Sequence, residues 1–255
     1  MNIESATVLC FSGTGTTEKY AQAFAGTLPF PAAYHAISQR EDLSLTLGEH
    51  DLLVLAVPVY AGYAPSFVWE RLANVQGANT PAVVLAVYGA RDYDNALLEA
   101  SGKLADKGFA TVGAAALVAR HSIVTSIAPD RPSTADLDGA KEFAGIVAQR
   151  LADMNGIEDA PAFQFKGEMG TGARPGIAPA ASEDCVRCGT CARSCPALAI
   201  PEDAPNTTDP EKCISCLRCI SVCPVGARSL PEQLLAGAAA MLAKTADPAK
   251  ENEYF

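Results

Sequence analysis

The chain is short of positive charge, of aromatic residues and of long hydrophobic runs, and each shortage excludes something. Nineteen Lys and Arg stand against 29 Asp and Glu, a formal charge of −10. That sign repels phosphate backbones, so nucleic acid is not an expected partner. Apolar runs such as Leu52–Val57 fall far short of the roughly 20 residues that cross a bilayer, so no membrane span is expected. The start Met1-Asn2-Ile3-Glu4 lacks the positive region of an export signal, and a cytoplasmic location is expected. Aromatic residues reach only 7%, with a single Trp, yet apolar residues as a whole make up 49% of 255 residues. That is enough for a packed core and too apolar for a disordered chain. The length suits one medium domain and a smaller one.

Cysteine, by contrast, is abundant and unevenly placed. Of nine, eight fall between Cys185 and Cys223, and Cys10 stands apart. Cys10 lies in an apolar run and reads as a buried structural thiol.

From Ala6 to about Met154 short apolar runs alternate with amphipathic stretches. Strands are expected over Ala6–Phe11, Ala33–Ile37, Leu52–Val57, Ala82–Tyr88 and Thr111–Ala119, most of them without polar alternation, as in strands buried on both faces of a parallel sheet. Helices are expected over Thr16–Thr27, Phe67–Asn74, Asp94–Lys107 and Ala135–Met154. The fold class is α/β, a doubly wound five-stranded parallel sheet. Residues 1–155 form this domain. Residues 156–182 are a linker punctuated by Pro161, Gly167, Gly170, Gly172, Pro175, Gly176 and Pro179, with Phe163 and Phe165 expected to dock somewhere. Residues 183–230 are a small cysteine module. Residues 231–255 are a helix from Pro231 to about Lys244 and a tail from Ala246 expected to fray.

The two cysteine runs are Cys185-x2-Cys188-x2-Cys191-x3-Cys195-Pro196 and Cys213-x2-Cys216-x2-Cys219-x3-Cys223-Pro224. Each cysteine of the second stands at a constant offset from its counterpart, which marks an internal duplication. Structural zinc usually pairs C-x2-C knuckles across a longer gap, so the triple spacing disfavours it. The spacing resembles that of the bacterial two-cluster ferredoxins. The resemblance implies an α+β module in which one 4Fe-4S cluster takes Cys185, Cys188, Cys191 and Cys223. The other takes Cys213, Cys216, Cys219 and Cys195.

The first strand runs into Ser12-Gly13-Thr14-Gly15-Thr16-Thr17 and then a helix. Such a turn presents backbone N–H groups, hydroxyls and a helix dipole to one anion, and a phosphate fits. No Lys follows Gly15, so this is not a P-loop, and Glu18 replaces the third glycine of the dinucleotide fingerprint. Two more loops sit at the ends of the third and fourth strands: Pro58-Val59-Tyr60-Ala61-Gly62 and Tyr88-Gly89-Ala90-Arg91-Asp92-Tyr93. Aromatic and glycine-bearing loops suit a flat ring system. The three loops together resemble flavodoxin, whose first loop is usually S/T-x-T-G-x-T; Thr16 stands where Asn is most often found. The resemblance implies FMN, its ring between the loops, with Tyr60 and Tyr93 as stacking candidates. Arg91 departs from the acidic surroundings common in flavodoxins. Trp69 reads as a packing residue. The long segment Arg120–Pro132 resembles the loop of proteins that fuse the two modules, and His121 within it reads as a loop histidine, with proton donation to the flavin as the sharper alternative.

The whole chain therefore resembles a flavodoxin–ferredoxin fusion. The resemblance implies electron transfer between two 4Fe-4S clusters and FMN, and to or from soluble redox proteins. The alternative is a flavin-dependent reductase of a small molecule fed by the clusters. Nothing in the sequence excludes a homo-oligomer.

Overall fold

Apolar runs without polar alternation must be covered on both faces, which places them at the centre of a sheet between two helical layers. The computed structural model describes residues 1–172 and 176–255; Pro175, counted above in the linker, lies outside the described residues. The first part holds β1 (Ser5–Cys10), α1 (Thr16–Ala25), β2 (Ala32–Ala36), β3 (Leu45–Leu47), β4 (Asp51–Pro58), α2 (Ser66–Arg71), β5 (Val75–Gly77), β6 (Thr80–Tyr88), α3 (Ala96–Ala105), β7 (Phe109–Val118) and α4 (Thr134–Asp153). The second holds β8 (Ala180–Ala181), α5 (Thr190–Ser194), α6 (Arg218–Ser221), β9 (Arg228–Ser229), α7 (Glu232–Thr245) and β10 (Glu253–Tyr254). The expected strands and helices are all present, with ends shifted by up to three residues. β3 and β5 are additional and form a separate parallel pair; three residues each are too few to carry a periodicity.

The main sheet runs β10-β7-β6-β4-β1-β2. Apart from β10 all neighbours are parallel. In chain order those five strands lie 2-1-3-4-5, the flavodoxin-like order of the doubly wound fold, whose switch point falls between the first and third strands. β1 pairs Ala6 with Ala32 on one side and Leu52 on the other, so the loops after β1, β4, β6 and β7 emerge at one end. Long α4 is started by a capping box in which Ser133 Oγ accepts from Asp136 N and the Asp136 side chain accepts from Ser133 N, satisfying donors a helix start leaves free.

The sheet has six strands, not the expected five, and the tail does not fray. Glu253 and Tyr254 pair antiparallel with Ala116 and Ala115, Tyr254 packs on Phe143 with ring centroids 5.2 Å apart, and Phe255 packs on Phe165 at 5.4 Å. The gain is physical: β10 covers the otherwise open edge of β7. A two-residue strand beyond a polar stretch leaves no sequence pattern. The linker is also laid down. Phe163 and Phe165 stack at 5.5 Å, Lys166 Nζ donates to Asp92 Oδ1 at 2.6 Å, and Gly172 bridges Pro65.

One sheet face packs on α1 and α4 through Phe24, Phe143 and Val147. The other packs on α2 and α3, and its buried cluster runs on through Ala192, Cys195, Ala197 and Ile214 of the second part. The two parts share one core. Within the second part the duplication is visible in the backbone. Left-handed residues occur at matched positions, Arg187 with Ser215, Gly189 with Leu217 and Leu198 with Gly226.

Candidate functional site

The loop after β1 builds the polar end of a groove. Gly15, at φ 93°, turns the chain into α1, and Ser12 Oγ accepts from Glu18 N at 3.2 Å. Gly13, Thr14, Thr16 and Thr17 face Pro58, Val59, Tyr60, Tyr88, Gly89 and His121 across the groove. The groove widens into a mostly apolar cavity of about 270 Å³ walled by Val59–Gly62, Tyr88, Gly89, Arg91, Asp92 and His121–Ile123. The wall on the far side comes from the second part of the chain: Ile177, Ser215, Leu217 and Leu230, with Ala238, Met241 and Leu242 of α7. Both spaces share Val59, Tyr60, Tyr88, Gly89 and His121. The result is one continuous slot, with N–H groups and hydroxyls at one end and apolar walls at the other, which suits a phosphorylated flat ring.

Some expected residues lie elsewhere. Ser12, Gly15, Ala90 and Tyr93 line neither space. Ser12 spends its side chain on the turn. The Tyr93 hydroxyl donates to Glu253 Oε2 at 3.0 Å, and its ring lies edge-on to Tyr88 at 5.8 Å under Lys166. Tyr93 therefore anchors the C-terminal strand, and Tyr88 takes the place in the cavity wall. Tyr60 does line the slot, edge-on to Phe11. Burial, and then the nearby Cys216, push its phenol well above the ordinary range, so it acts as a neutral hydrogen-bonding group. Arg91 pairs with Asp94 and stays at the cavity edge.

His121 is more than a loop histidine. Its Nδ1 faces Ile123 N at 3.2 Å and Val124 N at 3.1 Å. Accepting from these amides leaves the proton on Nε2. Burial, then the Arg91 charge, lower its pKa. A Cβ on Gly89 would lie 2.6 Å from the His121 ring, so only glycine lets the ring reach the slot. Glu99 went unread in the sequence. It is fully buried, accepts from Ala64 N at 2.9 Å and from Trp69 Nε1 at 3.0 Å, and is paired with Lys103. It fixes the loop after β4; a lone acid in the apolar stretch Ala96–Ala100 was its only signal.

The cysteines gather into two sets. Cys185, Cys188, Cys191 and Cys223 line one cavity, and Cys195, Cys213, Cys216 and Cys219 line another, so each set draws one member from the other run. Among the described residues no group of three or more His, Cys, Asp or Glu closes tightly enough for a single metal ion; the thiols surround spaces instead. Arg228 tests the fit. It is 3% exposed, lines the first cavity, and donates to Pro205 O, Thr207 O and Thr208 Oγ1. Its Nε has no partner, and none of the described ion pairs involves it. A buried unpaired cation is costly, and an anionic iron–sulfur group bound by four thiolates would offset it. The sets differ in exposure. Cys188 is exposed, whereas burial pushes Cys216 up to about 12 and Cys219 to about 11.

This fold and these sites define a doubly wound, flavodoxin-like domain that carries a cysteine-rich module. Residues 180–226 match the family model of a 4Fe-4S dicluster domain, and the strand order of the first part is the flavodoxin-like one. No curated protein matches it significantly. Among solved structures, a flavodiiron core from Synechocystis is 19% identical at a TM-score of 0.42 and is matched over 59% of this chain. The chain spans 36% of that core's length. A flavodoxin from Streptococcus pneumoniae is 16% identical over 57% of this chain and 99% of its own, at a TM-score of 0.40. One from the domain Archaea is 12% identical over 59% and 99%, at 0.44. These likenesses are too distant to carry the fold, which rests on the strand order.

Proposed function

We propose that the protein relays electrons between two 4Fe-4S clusters and FMN, and on to or from a redox partner. The observation that carries this reading is the shared wall: Ser215 and Leu217, which flank Cys216, line the same cavity as Tyr60, Tyr88 and Arg91. When bound, FMN exchanges one or two electrons and each cluster exchanges one. Gly13, Thr14, Thr16 and Thr17 hold the phosphate, and the loops Pro58–Gly62 and Tyr88–Asp92 hold the ring. His121 presents Nε2–H to the slot. Cys195, Cys213, Cys216 and Cys219 form the cluster site beside the flavin. Cys185, Cys188, Cys191 and Cys223 form the outer one, where exposed Val186 and Val225 offer an apolar surface to a partner. Within the chain the working units are residues 1–155, 183–230 and the linker and tail that strap them together.

The module wall and α7 cover the ring cavity, which favours protein partners over reduction of a free small molecule at the flavin. Anaerobic reconstitution followed by cofactor analysis and a redox titration tests the reading. Two 4Fe-4S clusters and one FMN per chain are expected. Zinc in the cysteine sites, half the iron and sulfide, or preference for FAD would defeat it.

A further inference from the structure

A further space, of about 290 Å³, lies at the seam between the two parts of the chain; it shares no lining residue with the flavin slot and adjoins the second cysteine cavity at Cys195, Pro196 and Arg218. Three arginines line it: Arg40 from the segment after β2, Arg193 from α5 and Arg218 from α6. Each is anchored by a main-chain carbonyl. Arg40 Nη2 donates to Ala192 O at 2.9 Å, Arg193 Nη2 to Cys188 O at 3.1 Å and Arg218 Nη1 to Ser12 O at 2.8 Å. One hydrogen bond uses only part of a guanidinium's five donors. Among the described ion pairs Arg40 is paired with Glu202 at 3.6 Å and none involves Arg193 or Arg218. Glu18 is the one acid in the lining, so the space carries a positive excess in a chain whose net charge is −10.

We propose that this space binds a phosphorylated small molecule of about diphosphate size. The fixed fork of arginine suits phosphate oxygens, and pre-anchored side chains lose little freedom on binding. The volume exceeds what a single phosphate needs and sits near the low end of small-molecule sites. Ser38 and Tyr34 lie in the same lining, adding a hydroxyl and an aromatic face of which Tyr34 is 39% exposed. Because Arg40 comes from one part of the chain and Arg193 and Arg218 from the other, the site exists only when the two are docked. Cys195 also lines it, so an anion there lies beside one of the cysteine sets.

The test is calorimetric titration of the FMN-saturated full chain with pyrophosphate, with ADP and with inorganic phosphate at low salt, sulfate serving as control. Saturable binding is expected, with pyrophosphate and ADP at least tenfold tighter than phosphate or sulfate. Arg193→Gln should weaken it at least tenfold. Glu18→Gln should tighten it several-fold, a gain that misfolding cannot produce. Lys141→Gln, on the exposed face of α4, should leave it unchanged. ADP tighter than pyrophosphate assigns a nucleoside contact at Tyr34; equal affinity assigns the diphosphate alone. No saturable binding, wild-type affinity in both the Arg193 and Glu18 variants, or competition of the diphosphate with FMN would overturn the proposal.

Discussion

Arg218 Nη1 donates to the carbonyl of Ser12 at 2.8 Å, joining the second cysteine run to the loop after β1. The neighbouring contact is tighter still. A Cβ on Gly13 would lie 2.3 Å from Cys216 O and 2.8 Å from the Tyr60 hydroxyl. Both atoms belong to well-packed surroundings, so the backbone of one part must retreat. Gly13→Ala is expected to cost about 1–3 kcal/mol as an overpacked contact and to lower Tm by roughly 2–4 °C per kcal/mol. Thermal unfolding of the reconstituted variant checks this. An unchanged Tm would mean that the seam is loose in solution.

Crossed ligation follows from the cavity linings. Cys195 lies with Cys213, Cys216 and Cys219, and Cys223 with Cys185, Cys188 and Cys191. Cys195→Ala should therefore damage the cluster of the second run and leave the other spectroscopically intact, while Cys185→Ala does the reverse. EPR of both variants, partially reduced, decides it; damage to the same cluster in each would refute the assignment.

Arg228 should raise the potential of the cluster it lines. A buried cation favours the added electron, so Arg228→Leu is expected to shift that midpoint to more negative values. The size is on the order of tens of mV, as for one charge at an effective dielectric near 20. EPR-monitored titration reads it, and an unchanged or raised midpoint would contradict the role. The variant removes an unpaired buried charge, so apo-protein stability falls less than the loss of its four hydrogen bonds, to Pro179 O, Pro205 O, Thr207 O and Thr208 Oγ1, suggests.

His121 gives stability a pH dependence of defined sign. Its folded-state pKa lies below the ordinary value, through burial and then Arg91. The unfolded chain therefore binds the proton first. Its contribution is fully present above about 6.5 and is lost as pH falls from there toward the folded-state value. Protonation would also place a proton on Nδ1 against the Ile123 and Val124 amides. Urea unfolding of wild type and His121→Phe between pH 5 and 8 should show the wild type losing more stability than the variant on the acid side. Parallel curves would remove His121 from this role.

The sheet, its five parallel strands and the cysteine runs were legible because each leaves a local pattern: unbroken apolar runs, helical spacing, a repeated motif. Loop residues were legible only as loops. Tyr60 and Tyr93 read alike in sequence, yet Tyr93 is drawn away by Glu253, which is 160 residues distant in the chain and belongs to a tail with no strand pattern. Likewise Arg40, Arg193 and Arg218 are unremarkable until the seam brings them together. Side-chain direction in a loop depends on such long-range partners, and sequence periodicity carries none of them.

The last expectation concerns transfer itself. One buried cluster of residues spans both parts, Leu217 lines the ring cavity, and the linker is pinned by Lys166 and Gly172, so the modules are docked and not merely tethered. After rapid partial reduction of the clusters, the flavin should be reduced at a rate independent of protein concentration. Cutting the chain near residue 155 is a poor control, since it removes β10 from the sheet edge together with the Tyr93–Glu253 contact. Gly13→Ala in the full chain is the better one, because it presses on the contact between the loop after β1 and Cys216 while leaving β10 on the sheet edge. That variant should keep its clusters and transfer more slowly, still in first order. If the intact protein shows only second-order transfer, or its flavin stays oxidised beside fully reduced clusters, the relay fails and the cysteine module is sensing or structural.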